Sequence, residues 1–116
     1  MATFTIEYKP AGRRTIVKWD AATTADNATL QVYEPDYSLD IASMQVTGTF
    51  GGATVKMMAS NNGTNFVQIG DAGGTAIALT AAGIEEISSG FRYYKPDVTG
   101  GTGDDLDITL VHWRDA

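Results

Sequence analysis

The chain has no cysteine, so neither a disulfide nor a thiolate metal site is open to it. It has few basic residues, 8 Lys and Arg against 14 Asp and Glu, for a net charge of −6. Such a chain gains nothing from release of counterions off a phosphate backbone and is a poor match to an anionic lipid surface, so no nucleic-acid or membrane partner is expected. No uncharged apolar run approaches the length of a membrane span. Met1-Ala2-Thr3-Phe4-Thr5 lacks the basic start and apolar stretch of a signal peptide, and the expectation is a soluble product made in a cytoplasm. There is one histidine, and no Ser-His-Asp set, Cys-His pair, evident carboxylate pair or cofactor fingerprint. The reading is therefore not an enzyme, with no catalytic residue, no metal and no cofactor.

What the chain does have is alternation. Phe4, Ile6 and Tyr8 fall on one face of a strand; so do Met44, Val46, Gly48 and Phe50, and so do Val55 and Met57. Leu30 and Val32 alternate with Gln31 and Tyr33. Near the C-terminus Leu106, Ile108, Leu110 and His112 share one face, and Asp107, Thr109, Val111 and Trp113 the other. Period two over short segments is the mark of half-buried strands. Thirteen glycines punctuate them, clustered at Gly51-Gly52, Gly73-Gly74 and Gly100-Gly101 with Gly103. Asn61-Asn62-Gly63 between two strand-like runs predicts a hairpin. The expected fold is all-β, an antiparallel sandwich of jelly-roll or Ig-like type with little or no helix, in a single domain over 1–116. Residues 1–12 form an N-terminal strand or an arm, with the alternation favouring a strand. Ala21 to Ala28 reads as a long loop, and Thr80 to Ile87 as a helical turn or a strand. A domain of this size leaves roughly 6,100 Å² of surface when folded, about one-third of what it exposes unfolded.

Four features invite a chemical reading, and each has a plainer one. His112 sits alone beside Trp113, with no second group nearby in sequence to orient it as a base, so it reads as a packed or edge residue. Asp104, Asp105 and Asp107 follow a glycine-rich turn, but they lack the Gly and Glu positions of a calcium loop and read as a solvated turn entering a strand. Gly100-Gly101-Thr102-Gly103 lacks the Lys and the following helix of a phosphate cradle. Phe91-Arg92-Tyr93-Tyr94-Lys95-Pro96 could stack on a ligand, yet strand alternation sends half of it inward.

The run from Val46 to Phe66, which contains Gly48-Thr49-Phe50-Gly51-Gly52-Ala53-Thr54-Val55 and Ser60-Asn61-Asn62-Gly63, resembles a group of small structural proteins of tailed phages. Arg92-Tyr93-Tyr94-Lys95-Pro96 followed by Gly100-Gly101-Thr102-Gly103 fits the same group. The resemblance covers roughly residues 38–112. It implies a head decoration, or cement, protein that binds the major capsid protein on the capsid exterior, localises to the virion and assembles as a homo-oligomer, by preference a trimer. Under that reading the contact residues are Phe4, Ile6, Tyr8, Arg13, Arg14, Tyr33, Tyr37, Tyr93 and Tyr94, because Tyr and Arg are enriched where binding energy concentrates. A weaker similarity, to galactose-binding-like jelly rolls of the discoidin type, implies instead a carbohydrate- or receptor-binding module of a tail or spike.

Overall fold

The computed structural model describes residues 2–10, 13–36 and 41–113. Its strands are β1 (Thr3–Lys9), β2 (Arg14–Ala22), β3 (Ile41–Thr49), β4 (Thr54–Ser60), β5 (Val67–Gln68), β6 (Gly83–Ile87), β7 (Tyr93–Thr99) and β8 (Asp105–Trp113). The strongest alternation in the sequence organises the rest. Leu106, Ile108, Leu110 and His112 are wholly buried on one face of β8. β2 and β3 pair antiparallel along its two sides, β1 lies beyond β2 and β6 beyond β3, giving a five-stranded sheet of order β1-β2-β8-β3-β6.

The second sheet, β5-β4-β7, covers the inner face. Tyr33 adds a one-residue rung outside β7, exchanging two backbone hydrogen bonds with Tyr94 at 2.8 and 2.9 Å. With that rung counted, the chain alternates between sheets as it runs from β2 to Tyr33, β3 and β4, and from β5 to β6, β7 and β8. This is the strand order of a jelly roll and sets aside the Ig-like alternative. The accessible surface, 6047 Å², matches the value expected from size. Trp19, Met44, Met57, Tyr94 and the inward side chains of β8 fill the core, and the Trp19 indole donates to the Gln31 carbonyl at 2.9 Å.

Two glycines are required by close approach. A Cβ on Gly48 would lie 2.4 Å from the Asp105 carbonyl oxygen, and one on Gly51 would lie 2.3 Å from that of Thr102; both residues have positive φ. The bend between β3 and β4 thus fits against the turn before β8.

Local expectations are resolved or changed in four places. Residues 30–34 do not form a regular strand: Leu30 and Tyr33 are buried while Val32 is exposed, a spacing of three that comes from a loop folding over the sandwich edge. Residues 80–87 contain a strand, not a helical turn. Asn61-Asn62-Gly63 does reverse the chain, but within a longer loop. There the Ser60 hydroxyl accepts from the amides of Asn62 and Gly63, and Asn62 Oδ1 accepts from those of Thr64 and Asn65. The predicted loop after β2 begins at Thr23 and carries a 3-10 turn at Asn27–Thr29.

His112, the one histidine of the sequence, is buried in this core. Its Nε2 lies 2.6 Å from the Tyr33 hydroxyl, and burial pushes its pKa down to about 4. An unfolded histidine titrates near 6.5, so between these values the unfolded chain binds more protons than the folded one. Stability from this group is complete above pH 6.5 and is lost as pH falls toward 4, by at most about 3 kcal/mol. Melting temperature measured across that window should fall with pH in the native protein, and His112→Phe should flatten the fall.

Candidate functional site

The two ends of the sandwich are built differently. At one end the 23–30 loop, the β3–β4 bend and the β7–β8 turn are tied together by side chains. Asp104 is buried there, and its Oδ2 accepts from the Thr24 amide at 2.8 Å and the Thr24 hydroxyl at 2.9 Å. Gly101 N donates to the same hydroxyl at 2.9 Å. The Asn27 side chain donates to Asp97 and accepts from the Val98 amide, both at 2.8 Å. Asp107 accepts from the Ala21 amide at 3.1 Å. The reading of 104–107 as a solvated turn is thereby corrected for Asp104: its carboxylate is a fastener between loops. Gly100-Gly101-Thr102-Gly103 is part of the same fastening, with Thr102 N donating to Gly51 O. Among the described residues no group of three or more His, Cys, Asp or Glu is placed to hold a metal ion.

The other end is open. The β1–β2 turn, residues 34–36, the 61–66 loop and the 88–92 connection meet there. An open cleft of about 590 Å³ is lined by Glu34, Pro35, Asp36, Asn61, Gly90, Phe91 and Arg92. Arg92 bridges it, with Nε 3.2 Å from Glu34 Oε2 and its amide donating to Asn61 Oδ1 at 3.2 Å.

The structure divides the sequence-derived contact residues. Phe4 is half-buried against Trp19, with ring centroids 5.3 Å apart. Ile6 and Tyr8 continue the same face but are 52% and 51% exposed, because the smaller sheet does not extend over β1. Arg13 and Arg14 are exposed at the β1–β2 turn, Arg13 with φ 49°. Tyr93 is half-buried, with the Arg92 guanidinium 5.5 Å from its ring centre. Tyr33 and Tyr94 must be withdrawn from the contact set. They are 5% and 0% exposed, Tyr33 reaching His112 and Tyr94 accepting from the Phe91 amide at 3.2 Å. Burial pushes the Tyr94 phenol up. Tyr37 lies outside the described residues. Tyr8, Arg13 and Arg14 all lie near the hairpin tip, with Tyr8 and Arg14 on opposite faces of the sheet, whereas Tyr93 belongs to the other sheet.

A patch on the outer face of the five-stranded sheet was not singled out from sequence. In register, Arg14, Trp113 and Ile41 form one cross-strand row, and Glu7, Ile16, Val111, Ser43 and Glu86 the next. Ile16, Val111, Trp113 and Ile41 are therefore neighbours on a face that points to solvent, and Ile41 is 55% exposed. The signal was present: Val111 and Trp113 stand on the face of β8 opposite the buried one. Only strand pairing brings Ile16 and Ile41 beside them.

No protein-family model matches the chain, and no curated protein matches it by sequence. Among solved structures it is similar to the SPBc2 prophage-derived protein YomS, at TM-score 0.61 and 10% identity over 85% of this chain and 94% of that one. It is also similar to the hydroxypropylphosphonic acid epoxidase from S. wedmorenis in complex with fosfomycin, at TM-score 0.51 and 9% identity. That match covers 97% of this chain but only 51% of the epoxidase, so this chain spans about half of it. At such identities the likeness is one of fold.

If Asp104 is a fastener, Asp104→Ala leaves two donors of Thr24 without their acceptor and costs about 2–3 kcal/mol. Chemical denaturation of the two proteins measures this difference, and added calcium should leave both midpoints unmoved.

Proposed function

We propose that this chain is a structural protein of a phage virion, of the decoration type, which docks on the exterior of the capsid against the major capsid protein. The observation that carries the reading is the outer-face patch of Ile16, Ile41, Val111 and Trp113 beside Arg14. A sheet face turned to water normally carries polar side chains, and contiguous apolar groups there mark a contact surface. Its composition, a tryptophan and branched aliphatics next to an arginine, is that of residues on which binding energy concentrates. The resemblance of the Val46–Phe66 run to phage structural proteins agrees with this, as does the likeness in fold to a prophage-derived protein. A decoration protein acts by mass action: it binds the assembled shell and not the free subunit, so each bound copy shifts stability toward the shell.

A second reading rests on the open cleft, where Phe91, Asn61, Glu34, Asp36 and Arg92 set an aromatic face among polar groups, a combination suited to a sugar. Saturable binding on a glycan array, abolished by Arg92→Ala and Phe91→Ala, would favour a tail or spike module over a decoration protein.

The decoration reading is tested by co-sedimentation with expanded, undecorated capsids of the parent phage. The native chain should pellet with them. The Ile41→Asp, Trp113→Ser double variant should lose at least about 2 kcal/mol of affinity, roughly 30-fold. Val67→Ser, at an exposed position in the other sheet, should bind as the native chain does.

A further inference from the structure

Every sheet edge exposes unpaired backbone groups, and folded proteins close or blunt such edges. Here the treatment is unequal. The edge of β6 is closed at its C-terminal end by residues 70–72: Asp71 bridges Ile87, Ala72 N donates to Glu86 O, and Ser88 N donates to Gly70 O, which leaves only its first three residues unbridged there. The edge of β7 is interrupted along its length: Tyr33 pairs with Tyr94, Pro96 has no N–H to offer, and Val98 N donates to the Asn27 side chain. On the far side of β4, Leu79 bonds Val55 in both directions, and β5 is only two residues long. Among the described residues, β1 alone offers a long unpaired edge. It is seven residues long, contains no proline, and carries a stripe in which Ile6 and Tyr8 are exposed beyond the half-buried Phe4.

We infer that β1 pairs antiparallel with β1 of a second copy across a two-fold axis at Ile6, joining two five-stranded sheets into one of ten strands. The pattern of β1 is complementary to itself in this register. On the inner face Ile6 meets its twin and Phe4 meets Tyr8, so the uncovered stripe packs against its own copy. On the outer face Thr5 meets Glu7 and Thr3 meets Lys9, and no like charges stand opposite each other. Glu7 is already held by Lys9 at 3.0 Å and Lys18 at 3.9 Å, and Glu7 and Lys9, the two charges that β1 itself puts on this face, cancel. Neighbouring two-fold registers are worse. An axis at Glu7 sets two carboxylates face to face, and like charges directly opposite destabilise a pair. An axis at Tyr8 brings Pro10, which has no N–H, opposite Ile6. An axis at Thr5 leaves Lys9 outside the ladder. The two-fold assembly departs from the trimer implied by the phage resemblance, and it does not depend on what the outer patch binds.

The absence of cysteine makes the register directly testable. Residues opposite one another in an antiparallel pair have Cα atoms about 4.5–5.5 Å apart, inside the range a disulfide spans. Under mild oxidation, Ile6→Cys should cross-link to a covalent dimer, and Ile84→Cys, exposed on the short strand at the opposite edge of the same sheet, should not. By analytical ultracentrifugation the native chain should sediment as a dimer and Ile6→Asp as a monomer with an unchanged circular dichroism spectrum. Should Ile6→Asp fail to fold, the cross-link decides by itself. A native chain that sediments as a monomer or a trimer, or an Ile6→Cys chain that stays uncross-linked, overturns the inference. The assay uses the isolated protein, so its failure is distinct from failure to bind capsids.

Discussion

A single strand flanked on both sides carries the architecture. β8 pairs with β2 along one edge and with β3 along the other, so its backbone groups are satisfied without water. One of its faces must then be covered, because Leu106, Ile108, Leu110 and His112 all point into it. The smaller sheet exists to cover that face. His112 is the exception in an otherwise apolar series, and a buried imidazole is tolerable only with a partner. The Tyr33 hydroxyl supplies one, and Tyr33 is itself fixed by its two-way pairing with Tyr94. One hydrogen bond therefore links the larger sheet, through β8, to the rung at the edge of the smaller sheet. Asp104 and Thr24 make the corresponding polar link at the opposite end.

Much of this was legible from alternation. The buried face of β8 follows the period-two pattern residue by residue, and those of β3 and β4 follow it over Ala42–Val46 and Val55–Ala59, since each lies inside a sheet with one face on the core and one outside. What alternation misjudged were places where burial comes from tertiary contact. Tyr33 and Tyr94 looked like contact residues because tyrosine is a common one. Their positions over the β7 edge and beneath Phe91 are long-range facts that no local window contains. Asp104 looked solvated for the same reason: its partner, Thr24, is 80 residues away. The outer patch was half visible, in Val111 and Trp113. Ile16 and Ile41 join it only through strand register.

The same logic separates structural chemistry from functional chemistry. Three groups that invited a chemical reading in sequence are engaged in holding loops: Asp104 on Thr24, Asp107 on Ala21 and His112 with Tyr33. A carboxylate that already accepts two short hydrogen bonds from the protein has little capacity left for a ligand, and a histidine whose pKa is pushed down to about 4 is a poor base near neutrality.

The surface tells the complementary story. Three edges are closed by bridges or kept short, at the cost of ordering residues 70–72, Leu79 and Tyr33 for that purpose. Closing an edge restricts chain that would otherwise be free, and that entropy must be recovered from the contacts made. The fold meets this cost wherever an edge would stay in water. β1 is left open, and its apolar stripe extends past the reach of the smaller sheet. The exposed halves of Ile6 and Tyr8 contribute no burial to the fold, whereas threonines at the same positions would keep the strand and reduce the hazard. On the two-fold pairing inferred above, their presence at the one long edge left open among the described residues is that of a surface a second copy covers.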